Sequence, residues 1–285
     1  GANMITIMES VKEKARRIGL PSSKMAIDGA QGISLAEYED RFALLCEPVR
    51  NHWTLGALRA GWGVGIAALA LLDNLGIKRN KATAAVQGFG TLAKGSIVAL
   101  LEDGVRITAV ADAEKCLIDE SGEGLDMTAL LSTDAGLLPT PAKGSKVTVA
   151  PRDAVLEHTC DVLLLEAIEN AITPANVDKI RAKGITPGAN LAIAPEAEIL
   201  LHKKGIPALP CFVAGSAGSV AMNGLFGPQD KPTAEQVLGF ISTSMVDMTN
   251  RLMKTSRAEN ITPREVAARF VATGPKAGRE RPYAA

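Results

Sequence analysis

Two glycines and a small residue are spaced in a way that can hold a diphosphate. The segment Gly88-Phe89-Gly90-Thr91-Leu92-Ala93 carries glycines at its first and third positions and alanine at its sixth. The first glycine permits a tight turn, the second lets the backbone approach a diphosphate closely, and Ala93 lets a helix pack on a strand. Free N–H groups at the start of that helix would face the phosphates. The segment therefore predicts a binding turn for a dinucleotide.

A carboxylate follows at the distance that a nucleoside-binding residue requires. Asp112 lies 24 residues after Gly88 (112 − 88). A carboxylate at the end of the next strand accepts hydrogen bonds from ribose hydroxyls and repels a 2′-phosphate. Asp112 therefore favours NAD, and NADP is retained as the alternative because Lys115 and Arg106 lie nearby. A glycine turn that binds nothing, with Asp112 an ordinary strand-end residue, is the competing interpretation.

Short apolar strands alternate with helices along the middle of the chain, as βαβ units require. The predicted strands lie over 83–87, 107–111, 146–150, 162–165, from 185, and over 206–213. The predicted helices lie over 10–17, 35–45, 54–75, 91–102, 126–131, from 173, over 196–204, from 233 to about 256, and from 262. Residues 162–165 are continuously apolar, which is typical of a strand buried on both faces. The predicted fold class is α/β, with a Rossmann doubly wound parallel sheet.

The same pattern divides the chain into three parts. We expect a short N-terminal helical segment over 1–53 and a Rossmann dinucleotide-binding domain over 54–228. A helical C-terminal extension over 229–285 is expected to pack back on the N-terminal part. Its helices begin at Thr233 and at Thr262-Pro263, which have the residue types of N-caps and first turns.

Composition excludes several classes of partner. The 285 residues carry 31 basic and 31 acidic side chains, a balance that argues against binding nucleic acid or an anionic membrane. The 4 cysteines form no CxxC pair, which indicates reduced thiols in the cytoplasm. No cysteine–histidine cluster has zinc spacing, and the apolar runs at 66–72 and 162–165 are too short to span a bilayer. We therefore expect a cytoplasmic protein with no metal site.

Several linked motifs resemble the glutamate/leucine/phenylalanine/valine dehydrogenases. Residues 85–90, Ala-Val-Gln-Gly-Phe-Gly, look like the cofactor turn of that family, and 187–190, Pro-Gly-Ala-Asn, match its turn beside the nicotinamide. The segments 110–126, 160–173 and 260–264 resemble its second strand and following loop, its fourth strand and its closing helix. The likeness covers roughly residues 54–273 and implies the NAD(P)-binding domain of an amino acid dehydrogenase.

The resemblance and the glycine turn together imply a set of cofactor-binding residues. Asn190 is expected to hydrogen-bond the nicotinamide or its ribose. The full set comprises Gly88, Phe89, Gly90, Thr91, Leu92, Asp112, Ala113, Ala167 and Asn190.

Departures from the family are equally informative. Family members carry a large N-terminal domain that holds the amino acid and contains a catalytic lysine and aspartate, whereas here residues 1–53 precede the cofactor domain. Gln31 stands where the lysine would be, and Ala60 replaces a threonine that contacts the carboxamide. Cofactor binding therefore carries over from the family, whereas amino acid deamination does not. A strongly reduced substrate domain is expected.

Glu166 and His52 are the candidate catalytic residues. In the family that the chain resembles, the position of Glu166 is small and apolar. Glu166 lies just beyond a central strand, where open α/β sheets bind ligands. It could act as a general acid or base, or hold a cationic or amine substrate. The alternative is a solvated or salt-bridged carboxylate. His52 titrates near neutrality and suits proton transfer, and its alternative is a packed or surface histidine in a linker.

These features predict an NAD(P)-dependent oxidoreductase that transfers a hydride to or from a small carbonyl, imine or amine compound. A non-catalytic dinucleotide-binding protein, regulatory or part of a complex, stays open because the lysine is missing. An enzyme that uses the nucleotide site for another ligand also stays open. A homo-oligomer, with a homodimer as the simplest form, is expected because a second subunit could close the cleft.

Overall fold

The computed structural model describes residues 35–133, 136–228 and 230–273. Its strands are β1 (Pro48–Arg50), β2 (Trp53–Thr54), β3 (Thr83–Gln87), β4 (Arg106–Ala111), β5 (Lys115–Asp119), β6 (Val147–Pro151), β7 (Val162–Leu165) and β8 (Gly184–Pro187). Its helices are α1 (Leu35–Ala43), α2 (Leu55–Asn74), α3 (Thr91–Glu102), α4 (Met127–Leu131), α5 (Ala154–Glu157), α6 (Pro195–Lys203), α7 (Cys211–Ala214), α8 (Ala217–Phe226), α9 (Ala234–Glu259) and α10 (Pro263–Thr273). The helix predicted over 10–17 and the position of Gln31 lie outside the described residues.

A six-stranded sheet in the order β6-β5-β4-β3-β7-β8 forms the centre of the fold. Strands β4, β3, β7 and β8 are parallel, which confirms the α/β Rossmann class. Strand β5 pairs antiparallel with both β4 and β6, so the predicted parallel sheet carries one reversed strand near its β6 edge. Strand β5 has no counterpart among the predicted elements. It follows β4 after only three residues, and a connection that short can make only an antiparallel hairpin.

Two further predicted elements are wrong. The helix predicted from Thr173 is replaced by a 3-10 turn over Val177–Lys179. The side chain of Asn176 accepts from the Thr173 N–H and donates to the Ala171 carbonyl, both at 2.8 Å, and so ties the turn to the preceding loop. The strand predicted over 206–213 is reduced to one bridge between Ile185 and Ala208. Proline lacks the N–H that a ladder needs, and 207 and 210 are both proline.

Helix α2 crosses α3 at a close approach made by small residues. A Cβ on Gly61 would lie 2.0 Å from the carbonyl oxygen of Leu92 and 2.8 Å from the Cα of Gly95. One turn later, a Cβ on Gly65 would lie 2.7 Å from the Cβ of Ala99. Because no larger side chain fits at either level, the N-terminal half of α3 is held directly against α2.

Helix α2 is the centre of the main hydrophobic cluster. By length and composition alone it could cross a membrane, but 78% of its apolar stretch is buried inside the fold, so interior packing accounts for its apolarity. The cluster joins Leu69 of α2 to Val86 of β3 and to Ile241 of α9, and a second cluster with Leu163 covers the other face of the sheet. Because Ile241 belongs to it, the main cluster extends past the predicted boundary at 228. The division at 53 and 228 stays a prediction.

Candidate functional site

The carboxyl ends of β3, β4 and β7 open into a cleft of about 390 Å³. Strand β4 lies on one side of β3 and β7 on the other, so the strand order reverses at β3. The cleft therefore lies at the switch point of the sheet, where open α/β sheets bind ligands. Its volume falls in the range of small-molecule sites, about 300–1,000 Å³. The predicted residues that line it are Gly88, Phe89, Gly90, Asp112, Ala113, Glu166 and Ala167.

The glycine turn has the geometry that its sequence predicts. Gly88 has φ 116°, in the left-handed region, and a Cβ there would lie 3.1 Å from the backbone of Glu166. Gly90 caps α3 in an extended conformation, and a Cβ there would meet nothing within 4 Å. The ring of Phe89 is turned into the interior, with 2% exposed. The turn therefore presents backbone to the cleft, at the positive end of α3.

Thr91 and Leu92 occupy the first turn of α3 with opposite orientations. Thr91 is exposed at the helix start. The side chain of Leu92 is half-buried, and its Cδ2 lies 3.2 Å from where a Cβ on Gly188 would be. Thr91 is thus placed to offer its hydroxyl to a phosphate, whereas Leu92 offers only its backbone N–H.

Asp112 is part of the β4–β5 turn as well as of the cleft. Its Oδ1 accepts from the N–H groups of Glu114 and Lys115 at 2.7 and 2.8 Å, and its Oδ2 accepts from Leu138 at 2.5 Å. Burial alone would raise the pKa of Asp112, but these backbone hydrogen bonds outweigh it and hold the pKa below its ordinary value. A carboxylate oxygen accepts about two hydrogen bonds. Oδ2 therefore retains capacity for one ribose hydroxyl.

Glu166 is enclosed between α2, α3 and the turn after β8. It is 8% exposed, and its Oε1 lies 3.1 Å from where a Cβ on Gly188 would be. Oε1 contacts the hydroxyl of Ser96, while Oε2 has no partner in the described part of the chain. Burial raises the pKa of Glu166 to about 8, although the Ser96 hydrogen bond lowers it. These contacts argue against the solvated and salt-bridged alternatives, because its hydrogen-bonding partner is a hydroxyl rather than a cation.

The hydroxyl of Ser96 lies between Glu166 and helix α2. Its Oγ is 2.8 Å from the carbonyl oxygen of Gly61, and it also contacts Oε1 of Glu166. One hydroxyl hydrogen cannot be donated to both oxygens. Donation to Oε1 stabilises the charged carboxylate and lowers the pKa of Glu166, but burial outweighs this effect and favours the neutral acid. With Ser96 donating to Oε1, the proton of the neutral acid lies on Oε2.

His52 and Asn190 do not line the cleft. His52 is exposed in the turn between β1 and β2, where its ring lies 5.1 Å from that of Trp53. The structure thus places it as a surface histidine, separated from Glu166 by the first turns of α2. Asn190 is exposed in the turn after β8, one strand further along the same edge of the sheet. Of these two residues, only Asn190 lies at the same edge of the sheet as the cleft.

Two buried polar residues at the site are not among the predicted site residues. Gln87 ends β3 beneath the glycine turn, and Ser96 contacts Glu166. A glutamine at the end of an otherwise apolar strand is a visible signal in the sequence. The role of Ser96 is not visible, because it depends on contacts with Gly61 and Glu166 from other elements.

The buried thiols of Cys116 and Cys160, and the absence of a metal-ligand cluster, narrow the chemistry of the described residues. Burial raises the pKa of the Cys116 and Cys160 thiols to about 12, which keeps them as inert thiols. Across the described ranges, no group of three or more histidine, cysteine, aspartate or glutamate side chains could hold a metal ion. The chemistry of the site must therefore be considered from the glycine turn, Asp112 and Glu166.

Comparison with known proteins matches residues 57–274 to the family model "Glutamate/Leucine/Phenylalanine/Valine dehydrogenase". A glutamate dehydrogenase from Thermotoga maritima is 32% identical over 214 residues, covering 73% of this chain and 50% of that protein. An NADP-specific glutamate dehydrogenase from Saccharolobus shibatae is 30% identical over 135 residues, covering 47% and 31%. Among solved structures, a hetero-hexameric glutamate dehydrogenase from Thermus thermophilus has a TM-score of 0.63 at 23% identity, covering 73% of this chain and 49% of that one. The chain spans about half the length of the first curated relatives it matches.

Proposed function

The chain belongs to the glutamate/leucine/phenylalanine/valine dehydrogenase family, and from that premise we propose that it is an NAD(P)-dependent oxidoreductase. The proposed reaction is hydride transfer between the nicotinamide and a small carbonyl, imine or amine compound. The observation that carries the proposal is the Gly88 turn, which presents bare backbone to a cleft at the switch point of the sheet. The names of the curated relatives, glutamate dehydrogenases, support the same reaction class.

The residues of the cleft fit a dinucleotide. The turn from Gly88 to Gly90 and the start of α3 would hold the diphosphate, with the Thr91 hydroxyl beside it. Oδ2 of Asp112 would accept from the adenosine ribose, and Asn190 would hold the nicotinamide half further along the sheet edge. The bound nicotinamide would supply the hydride donor or acceptor.

We propose NAD as the preferred cofactor and NADP as the alternative. The lowered pKa of Asp112 keeps its carboxylate charged at neutral pH, and a charged carboxylate repels a 2′-phosphate. A family relative bears the name NADP-specific, so the preference has to be measured for this chain.

Glu166 is the proposed proton donor. A neutral carboxylic acid can protonate a carbonyl or imine oxygen or nitrogen as the hydride arrives, and a pKa of about 8 lies close to neutral pH, where such an acid works best. When Ser96 donates to Oε1, the proton of neutral Glu166 lies on the unpartnered Oε2, which is the atom that would protonate a substrate or a water. The proposed step assigns the proton to Glu166 alone, and His52, in the turn between β1 and β2, stays an untested candidate.

The proposal is tested in two stages. Calorimetric titration with NAD and NADP measures binding, and absorbance of the reduced nicotinamide measures turnover with a panel of oxo acids, amines and imines. Saturable binding with turnover of a panel member supports the oxidoreductase. Binding without turnover would favour the alternative, a non-catalytic dinucleotide-binding protein.

The proposed assembly is a homo-oligomer in the cytoplasm. The solved relative from Thermus thermophilus is described as hetero-hexameric, so assembly in the family is not limited to dimers. Light scattering coupled to gel filtration would give the mass of the assembly, and a mass of 29.7 kDa would contradict an oligomer.

A further inference from the structure

Gln87 ends β3 with a buried and unpartnered amide oxygen. The residue is 7% exposed, and its Oε1 has no hydrogen-bond partner among the described residues. Buried polar atoms in folded proteins are almost always paired, so an orphan acceptor beside a cleft points to a ligand or an ordered water. The glycine turn and Asp112 leave this atom unexplained.

The sheet register shows where the amide points. Gln87 lies between Ala111 of β4 and Leu165 of β7. Ala85, two residues earlier on the same strand, packs with Leu165 on the face of the sheet opposite α3. Since strand residues alternate between faces, Gln87 points to that same face. It lines both the 390 Å³ cleft and an adjoining cavity of about 270 Å³, so its amide lies at the floor between them.

The walls above this amide are apolar. Ala113 lies on the β4 side of the cleft, and Ala167 and Ile168 lie on the β7 side. Ile168 lines both cavities and keeps 48% of its surface exposed, which is unusual for a large aliphatic side chain in a cleft. The charged pair at the rim, Arg152 and Asp153, is joined by an ion pair of 3.3 Å. A flat ring can pack between these apolar walls, and the carboxamide of Gln87 on the floor can hydrogen-bond to the edge of the ring.

We propose that Gln87 recognises the adenine base. A carboxamide pairs with adenine through two hydrogen bonds: Oε1 accepts from the exocyclic amino group, and Nε2 donates to a ring nitrogen. The inference rests on the proposed function, because the adenine is delivered by the dinucleotide. Oδ2 of Asp112, at the end of the neighbouring strand, would hold the ribose of the same nucleoside. Gln87 thereby determines which base the cofactor carries.

The test compares NAD with nicotinamide hypoxanthine dinucleotide, in which a carbonyl oxygen replaces the amino group of adenine. Calorimetric titrations at neutral pH would use the full chain as wild type, as Gln87→Met and as the control Lys179→Met. Lys179 lines only the adjoining cavity and is largely exposed. We expect the wild type and the control to bind NAD roughly tenfold or more tightly than the analogue. Gln87→Met should bring that ratio close to one, mainly by weakening NAD binding.

Thermal unfolding of Gln87→Met checks that its fold is intact, and its melting temperature should be no lower than that of the wild type because the variant removes an unpaired buried amide. Equal affinity of the wild type for the two dinucleotides would overturn the inference while leaving the proposed function standing. A preference for NAD that survives in folded Gln87→Met would overturn it in the same way. Failure of the wild type to bind either dinucleotide would overturn both.

Discussion

Ser96 and Glu166, 70 residues apart in the chain, share a hydroxyl–carboxyl contact in the interior between α3 and the end of β7. Ser96 also reaches the carbonyl oxygen of Gly61, at the level where α2 and α3 approach most closely. The carboxyl group of Glu166 is therefore linked through Ser96 to the packing of two helices. The turn that presents backbone to the cleft follows β3 and leads directly into α3.

Replacement of Glu166 by glutamine tests its proposed role as proton donor. Glutamine keeps the size of the side chain and its carbonyl oxygen can still accept from Ser96, so the fold and the NAD affinity should be retained. Turnover should fall by roughly 10²- to 10⁴-fold, the usual contribution of a general acid. Steady-state rates from reduced-nicotinamide absorbance would measure the loss, and Glu169→Gln, an exposed carboxylate in the same loop, serves as the control. Wild-type rates in folded Glu166→Gln would rule out the role.

The buried acid should also make stability depend on pH. The pKa of Glu166 rises from 4.5 to about 8 in the folded chain, so between these values the unfolded chain releases a proton that the folded chain retains. The contribution of Glu166 to the free energy of unfolding therefore falls as pH rises through this window, by about 1 kcal/mol per pH unit. Below pH 4.5 both states are protonated and the effect vanishes. Denaturant unfolding of wild type and Glu166→Gln at several pH values should show the variant gaining stability relative to the wild type as pH rises. A constant difference would mean that Glu166 has an ordinary pKa.

Asp112→Asn should change both cofactor preference and stability. Asparagine has one acceptor oxygen and cannot take the hydrogen bonds from both Leu138 and the Glu114–Lys115 turn. The free energy of unfolding should fall by about 1–3 kcal/mol. Loss of the charge should also reduce the preference for NAD over NADP, measured as a ratio of dissociation constants by calorimetry.

Asp119→Asn is the matched control for that variant. Asp119 accepts from the N–H groups of Ser121 and Gly124 in the turn after β5, and it does not line the cleft. It should lose comparable stability with no change in the NAD/NADP ratio. An unchanged ratio in Asp112→Asn would assign that residue to the turn alone.

The close approach of α2 and α3 predicts a strong effect from one methyl group. Gly61→Ala places a Cβ 2.0 Å from the Leu92 carbonyl oxygen, so the helices must separate. We expect a loss of about 1–3 kcal/mol or more in the free energy of unfolding. Gly239→Ala in α9 meets nothing within 4 Å and should instead gain about 0.5–1 kcal/mol from helix propensity. Equal stability of the two variants in urea unfolding would contradict this packing.

The sequence predicts the features that depend on neighbouring residues. The Gly88 turn follows from local glycine chemistry, and β7 from four consecutive apolar residues, and both are confirmed. Features that depend on contacts between residues far apart in the sequence could not be predicted. The raised pKa of Glu166 depends on its burial among elements distant in sequence, and the orphan amide oxygen of Gln87 is recognisable only once the strand register is known.

The errors in strand prediction also have causes in the local sequence. Residues 206–213 have the apolar content of a strand, yet two prolines remove the N–H groups that would pair it with β8. Strand β5 was not predicted because its turn is built by the Asp112 carboxylate, a residue interpreted as a ribose ligand or as an ordinary strand-end residue.

The central claim is that the Gly88 turn holds a dinucleotide, and calorimetric titration of NAD into the wild-type chain beside Gly88→Val tests it most directly. Valine is strained at φ 116°, and its Cβ would be pressed against the backbone of Glu166. The account predicts saturable binding of one NAD per wild-type chain and loss of that binding in the variant, with circular dichroism showing that both are folded. Absence of NAD binding by the folded wild-type chain, or equal binding by the two, would contradict it.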